Sequence, residues 1–261
     1  AKAPLMIGGQ AVMEGVMMRA PHSYCVAVRK PSGEVVTEER AIAKVSEKYP
    51  FFKYPVLRGL GTLGQAMNLG YRALMFSAKA ALDDGSAKDG EKSAEISSWM
   101  MTVNLVFSLG FFIFLYKFVP LFLATRLGKV VPALSGRFAT NMTDGVIRIV
   151  IFLAFLYLLS RMKDIHRVFE FHGAEHKVVF NFEARQPLTV DNAQKFVTFH
   201  PRCGTSFLLV VMTISMIVYA LLPFDGFLAR FLGRLALLPV VTGVSYELIR
   251  FAAKRQGTFM G

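Results

Sequence analysis

The sequence predicts a mainly α membrane protein with about four transmembrane helices, preceded by a cytoplasmic α+β domain that contains a β-hairpin and an amphipathic helix. Composition is the first observation: 54% of the 261 residues are hydrophobic, and mean hydropathy is +0.44. Such values are typical of polytopic membrane proteins. The second observation is a change of composition near residue 98, from a more polar first part to long apolar segments. We therefore divide the chain into residues 1–98 and a transmembrane domain, 99–261.

Residues 1–98 predict a cytoplasmic or membrane-surface domain. Two β-rich runs, 24–29 and 34–39, flank a Pro-Ser-Gly turn and predict a hairpin. Further on, apolar residues recur at alternating steps of four and three, which predicts one helical stripe made of Val56, Leu60, Leu63, Met67, Tyr71, Leu74 and Ala78. The stripe either packs in the core of the domain or lies on a membrane surface, with Arg58, Arg72 and Lys79 beside it. Residues 83–95 predict a polar linker.

Four apolar segments follow the linker: 99–127, 145–159, 206–222 and 227–255. A helix needs about 20 mainly apolar residues to cross a bilayer. The fourth segment is the weakest candidate because Arg230, Arg234, Pro239 and Glu247 interrupt it. We expect Arg148, Arg230 and Arg234 to lie near the membrane interfaces.

Lys and Arg are denser in the N-terminal domain and after the second and fourth spans than on the opposite side. This bias predicts that the N-terminus, the central loop 162–204 and the C-terminus are all cytoplasmic. We also expect no secretory signal peptide, since the first residues lack a basic segment followed by an apolar core.

The central loop contains a candidate metal site in the stretch FHGAEHKVVF, residues 171–180. His172 and His176 are one turn apart on a helix that we expect to continue the second span. Two imidazoles at this spacing can bind one divalent ion, zinc being the commonest. Glu175 completes the pattern H-x-x-E-H, in which inverted zinc peptidases use the glutamate as general base. Glu175 is therefore the candidate catalytic residue.

A second cluster, FHPRCGTSF, lies at the start of the third span and adds His200 and Cys203 as candidate metal ligands. Four protein ligands would make a closed structural site, whereas three would leave a position open for catalysis. Alternatively, these side chains only cap helix ends and hydrogen-bond one another at the membrane interface. Glu247 is either a further ligand or a counter-ion to Arg250.

The run IGGQAVMEGVMMRAPHS, residues 7–23, contains no nucleotide-binding motif. Its glycines permit a close backbone approach, and Glu14 and Arg19 are candidates to face the histidine cluster. The alternative is a tight turn that packs the N-terminus onto the domain.

Three separated motifs, GGQAVMEGVMMR, FHGAEHKVV and FHPRCGTSF, followed by LLPVVTGVSYELI, resemble the bacterial YqhQ family. The resemblance implies a multi-pass protein of the inner (plasma) membrane that has been described as a predicted metal-dependent enzyme. The family motif positions fall on Gly8, Gly9, Gln10, Glu14, Gly15, His172, Gly173, Glu175, His176, His200, Arg202, Cys203 and Gly204. Among these, Gln10, Glu14 and Arg202, together with Glu247, are the candidate supporting residues of the site.

Two functions are compatible with these features. The first is a zinc-dependent hydrolase that acts on a peptide or lipid-linked substrate, with Glu175 activating water. The second is a non-enzymatic membrane factor whose basic surface, with net charge +12, docks an anionic partner such as the ribosome. This factor would form a homo-oligomer beside the protein-export or membrane-protein insertion machinery. DNA is not an expected partner, and a transporter is disfavoured because no inverted repeat is visible.

Overall fold

The computed structural model describes residues 7–43, 45–82, 98–200, 203–221, 223 and 226–253. Contacts divide the chain into two units: residues 1–91 with 158–203, and residues 92–157 with 204–261. The central segment, which the sequence division places with the spans, therefore belongs to the first unit. The predicted linker 83–95 lies outside the described residues.

The described elements comprise four strands and nine α-helices. The strands are β1 (Gly8–Val12), β2 (Gly15–Arg19), β3 (Ser23–Arg29) and β4 (Val35–Ala41). The helices are α1 (Val45–Lys48), α2 (Leu57–Leu82), α3 (Ser98–Ile113), α4 (Val119–Val130), α5 (Arg137–Ser160), α6 (Lys163–Glu183), α7 (Val190–Gln194), α8 (Gly204–Leu221) and α9 (Phe227–Ala253).

The strands of the first unit form one antiparallel sheet in the order β1-β2-β3-β4. The predicted hairpin is confirmed as β3 and β4. The glycine-rich run 7–23 forms a second hairpin, β1 and β2, where the sequence offered only a tight turn or a close approach. Gly15 is required there, because a Cβ atom on it would lie 2.1 Å from the carbonyl oxygen of Ala27 on β3.

Helix α2 packs on the sheet through small and apolar side chains that belong to the core of the unit. The core comprises Val12, Met17, Tyr24, Val26, Val28, Leu69, Ala73 and Ala80. The predicted apolar stripe is on another face: Met67, Tyr71 and Leu74 are 70%, 51% and 46% exposed. The core alternative for these three side chains is therefore wrong. Small residues face the sheet because they let the helix axis approach it closely.

The second unit contains four helices that are long and apolar enough to cross a membrane: Val106–Val130, Arg137–Ser160, Gly204–Leu221 and Phe227–Ala252. Four such spans were predicted, although the second begins earlier than expected. The first passes through a π-helical turn, Phe114–Phe118. Pro120 accounts for this turn, because its ring crowds the carbonyl four residues earlier and it has no N–H to donate.

Two expectations about helices and charges are corrected. Helix α6 does not continue the second span: α5 ends at Ser160, and extended backbone at Met162 (φ −80°, ψ 127°) separates the two helices. Arg148 and Arg234 are not at the membrane interfaces but buried, each with 2% exposure. Their partners, described below, are other polar side chains of the same unit.

Candidate metal centre

Helix α6 supplies three of the candidate functional side chains and packs against β1 and β2. Glu175 and His176 are buried on this helix, and His172 is half-buried. The segment after α7 runs alongside the same helix. Gly173 permits this approach, since a Cβ atom there would already lie 3.2 Å from the Thr198 methyl group. Two separated motifs of the sequence are thereby brought together.

His172, His176 and Cys203 each offer a ligand atom, and these three atoms all lie within 4.8 Å of one another. The Nε2 atom of His172 is 3.1 Å from the Cys203 sulfur, and the two imidazole centroids are 4.4 Å apart. The spacing of four residues places both imidazoles on one face of α6, with their rings tilted by 59°, and the loop brings the thiol to them. The three groups could bind one metal ion.

The orientation of His176 is fixed by a backbone contact. Its Nδ1 atom is 2.5 Å from the carbonyl oxygen of Thr198. A carbonyl has no proton to give, so Nδ1 carries a proton, and in the neutral imidazole Nε2 is then the acceptor. Histidines that bind metals usually donate their second N–H to a carbonyl or carboxylate in this way. Thr198 therefore prepares His176 as a ligand.

His172 and Cys203 are hydrogen-bonded to each other. Their hydrogen bond raises the pKa of His172, and burial of the imidazole opposes this shift. A thiol and an imidazole in contact share a proton, and both groups bind metals in their deprotonated forms. Metal binding to this pair would therefore release protons and weaken at low pH.

Glu175 lies beside the three ligand atoms without belonging to their group. Its carboxylate is 5% exposed, and Oε2 is 3.6 Å from Nε2 of His176. Burial raises the pKa of Glu175, while the two histidines and a hydrogen bond from the Gly9 N–H act in the opposite direction. A Cβ atom on Gly9 would lie 2.7 Å from both Cγ and Oε1 of this side chain. The glycine is thus what allows β1 to hold the carboxylate.

His200 is close to the cluster but is not among its three ligands. Its ring packs on Phe180, with centroids 4.5 Å apart, and lies 5.7 Å from the His176 ring. Its Nε2 atom is 3.7 Å from Oε2 of Glu183. Burial lowers the pKa of His200, and the neighbouring His176 adds to the effect. In this conformation His200 supports the wall of the site.

The residues from the first hairpin make separate contacts. Glu14 pairs with Arg167 on α6, its Oε1 atom 3.2 Å from the guanidinium Nε. Gln10 packs against α2, where a Cβ atom on Gly70 would lie 2.7 Å from its amide nitrogen. Glu14 thus connects the β1–β2 hairpin to α6, and Gln10 packs it against α2.

The remaining candidates are Arg19, Arg202 and Glu247. Arg19 donates a 2.5 Å hydrogen bond to Gln65 on α2. Arg202 lies outside the described residues, and Glu247 is half-buried on α9 in the second unit.

Sequence reasoning missed the Thr198 carbonyl, because a backbone acceptor leaves no signal in residue type. For Gly9 the sequence predicted only that the glycines of this run permit a close backbone approach, without naming Glu175 as the neighbour.

Comparison with known proteins gives the family. A family model described as "Protein of unknown function (DUF1385)" matches residues 54–261, which include the three ligands. The chain belongs to this family. It is also 34% identical to the "Uncharacterized protein YqhQ" of Bacillus subtilis (strain 168), an alignment that covers 97% of the chain and 80% of the relative. The resemblance predicted from the motifs is confirmed. No solved structure matches the chain.

Proposed function

We propose that this family member is a membrane-bound, zinc-dependent hydrolase whose metal is held by His172, His176 and Cys203. The observation that carries the proposal is the convergence of three ligand atoms within 4.8 Å. Two imidazoles and one thiolate are a donor set that suits zinc. The hydrogen bond from His176 to Thr198 supports the same conclusion, because it presents Nε2 in the form that binds metals.

The number of ligands favours catalysis over a purely structural role. The group found among the described residues has three members. Zinc with three protein ligands keeps a position open for substrate or water and supplies Lewis-acid chemistry. His200 is the fourth candidate, but it is not a member of this group, and its ring packs on Phe180 with the centroids 4.5 Å apart.

Glu175 is the group that would move protons. It is buried beside the ligands, and Gly9 holds its carboxylate through a backbone N–H. A raised pKa brings a carboxylate closer to the range in which it can both accept and return a proton near neutral pH. In hydrolysis, Glu175 would take a proton from the attacking water and pass it to the leaving group. The substrate would be a peptide or a lipid-linked molecule at the cytoplasmic face.

Metal content tests this proposal directly. The full chain, purified in detergent, should contain near-stoichiometric zinc by plasma mass spectrometry, and His172→Ala/His176→Ala should contain none. Glu175→Gln should keep the zinc and the fold but fail to complement a deletion strain. Absence of zinc from the wild-type protein would overturn the proposal. Full complementation by Glu175→Gln would remove this residue as the base.

A second candidate, the non-enzymatic membrane factor, is supported by a different surface. Exposed Lys48 and Lys53 lie in the segment before α2 among exposed aromatic rings: the Lys48 ammonium is 5.6 Å from the Tyr49 ring centroid, and Tyr54 is 67% exposed. Arg29 on β3 and Arg40 on β4 are further exposed cations of the same unit. Such a surface suits an anionic partner, for example ribosomal RNA. Replacing these four cations by Glu should abolish salt-sensitive co-sedimentation with ribosomes. Unchanged co-sedimentation would count against the factor and leave the zinc experiment unaffected.

A further inference from the structure

The second unit contains a buried charged cluster that has no part in the metal site. Asp144 and Arg148 lie on α5, and Arg234 lies on α9; the three residues are 1%, 2% and 2% exposed. All three are inside helices that are long and apolar enough to cross a membrane. Ionisable side chains in such positions are costly, and they usually mark a functional site.

One carboxylate serves both guanidinium groups. Oδ2 of Asp144 is 2.5 Å from Nη2 of Arg148, and Oδ1 is 2.9 Å from Nη1 of Arg234. Each guanidinium also donates to a neutral side chain. Arg148 donates to the Ser215 hydroxyl on α8 at 2.8 Å, and Arg234 donates to the Asn141 amide oxygen at 2.5 Å. The polar contacts therefore join α5, α8 and α9.

A third cation completes the cluster from the first span. The ammonium of Lys117 lies 5.3 Å from the ring centroid of Tyr219 and 3.3 Å from its hydroxyl oxygen. The guanidinium groups of Arg148 and Arg234 lie 5.7 and 5.3 Å from the same centroid. Three basic side chains from three helical segments thus surround one tyrosine, although like charges at such distances repel.

The charges of this cluster do not balance. Among its described members, three basic side chains face one carboxylate, and arginine keeps its charge in proteins. Two guanidinium groups against Asp144 leave a positive excess whatever the state of Lys117. Glu247 cannot offset it, because thirteen helical positions separate it from Arg234, which is about 20 Å along the axis.

A hydrogen-bond donor without an acceptor also indicates that the cluster could hold an anion. The Nε atom of Arg148 is buried and has no acceptor among the described residues. Buried polar groups are costly unless they are paired, and a guanidinium is the more so because it is charged. Guanidinium groups bind oxyanions through forked pairs of N–H donors. The cluster therefore has the charge and the donors to accept a phosphate.

We propose that the membrane-spanning unit binds a phosphate group at Lys117, Arg148 and Arg234. Lys117, which is only half-buried, is on the accessible side of the cluster. Asp144 is seven residues, or about 10 Å, from the start of α5, and Tyr219 is two residues from the end of α8. The site is therefore closer to these helix ends than to the opposite ones. At that depth a phosphate can come from a lipid headgroup or from inorganic phosphate.

Thermal unfolding of the full chain in a maltoside detergent tests the proposal. Short-chain phosphatidylglycerol, at saturation, should raise Tm by roughly 5 °C, and short-chain diacylglycerol, which lacks the phosphate, should not. Sodium phosphate is compared with sodium chloride at matched ionic strength. A rise with the lipid alone identifies a headgroup site, and a rise with sodium phosphate identifies a site for the free anion. No rise beyond the two controls overturns the proposal.

Variants locate the effect. Asp144→Asn removes the competing carboxylate, so it should lower the starting Tm but enlarge the rise caused by the phosphate probe. Arg148→Lys keeps the charge and loses Nε and the fork, and it should reduce the rise by at least half. Lys129→Gln, at an exposed cation on α4, is the matched control and should leave it unchanged. A full rise in Arg148→Lys would overturn the assignment, and the wild-type measurement remains decisive if a variant fails to fold.

Discussion

The two units bury polar clusters of opposite character. In the first unit the cluster offers lone pairs, namely the imidazole and thiol atoms of His172, His176 and Cys203. In the second unit it offers N–H donors on Arg148 and Arg234 around a single carboxylate. Acceptors in excess suit a cation, and charged donors in excess suit an anion. The uncompensated groups of a buried site therefore indicate the sign of its ligand before any ligand is known.

The largest expected effect on stability is in the second cluster. Asp144→Asn should lower the free energy of unfolding by about 3–5 kcal/mol, because it leaves two buried guanidinium groups without their shared counter-ion. Denaturant unfolding in detergent measures the change. Asp164→Asn, at an exposed carboxylate on α6, is the control and should change stability by less than about 1 kcal/mol. Equal effects of the two substitutions would show that the buried ion pairs contribute little.

The two clusters also differ in how visible they are in the sequence. The candidate metal ligands occur in two short motifs, which predicted that His172, His176, His200 and Cys203 would meet if the central loop folded back; the structure groups His172, His176 and Cys203. The members of the charged cluster are dispersed over four spans. Asn141, Asp144 and Arg148 follow helical spacing on α5, which is a signal of one polar face. That signal was missed because arginines within apolar segments were interpreted as interface residues.

The fold of the first unit shows a second limit of sequence reasoning. The β3–β4 hairpin has β-branched residues and a clear turn, and it was predicted. The β1–β2 hairpin was not, because glycines at three of its positions weaken a strand pattern. Two of those glycines have close neighbours on other elements: Ala27 of β3 at Gly15, and Glu175 of α6 at Gly9. Only the tertiary structure shows why a side chain is excluded there.

A smaller effect is expected where the sheet approaches the candidate metal site. A methyl group on Gly9 would lie 2.7 Å from the Glu175 side chain and 2.8 Å from the Met17 carbonyl oxygen. Gly9→Ala should therefore cost about 1–3 kcal/mol of unfolding free energy and displace Glu175. Gly8→Ala is the matched control in the same strand, since nothing lies within 4 Å of the added atom. If both variants unfold alike, the contact of β1 with Glu175 does not constrain the site.

The smallest expected effect on stability concerns the exposed face of α2. This face is the part of the first unit that could contact lipid. Met67, Tyr71 and Leu74 are exposed, while Arg72 and Lys79 on the same helix are exposed cations. An amphipathic helix of this kind binds the surface of an anionic bilayer. Met67→Gln should accordingly change the unfolding free energy in detergent by less than about 0.5 kcal/mol.

The bilayer contact itself can be measured on the native methionines. Met67 is 70% exposed, and Met13, in the β1–β2 turn, is 42% exposed and provides an internal control. Peroxide oxidation, followed by mass spectrometry, should slow at Met67 when the chain is moved from neutral to phosphatidylglycerol-containing nanodiscs, and it should remain unchanged at Met13. High salt should reverse the protection, because cations beside the apolar stripe supply the electrostatic part of the binding. Equal rates at Met67 in both lipids would instead mean that the anionic charge of the lipid does not promote contact with this face.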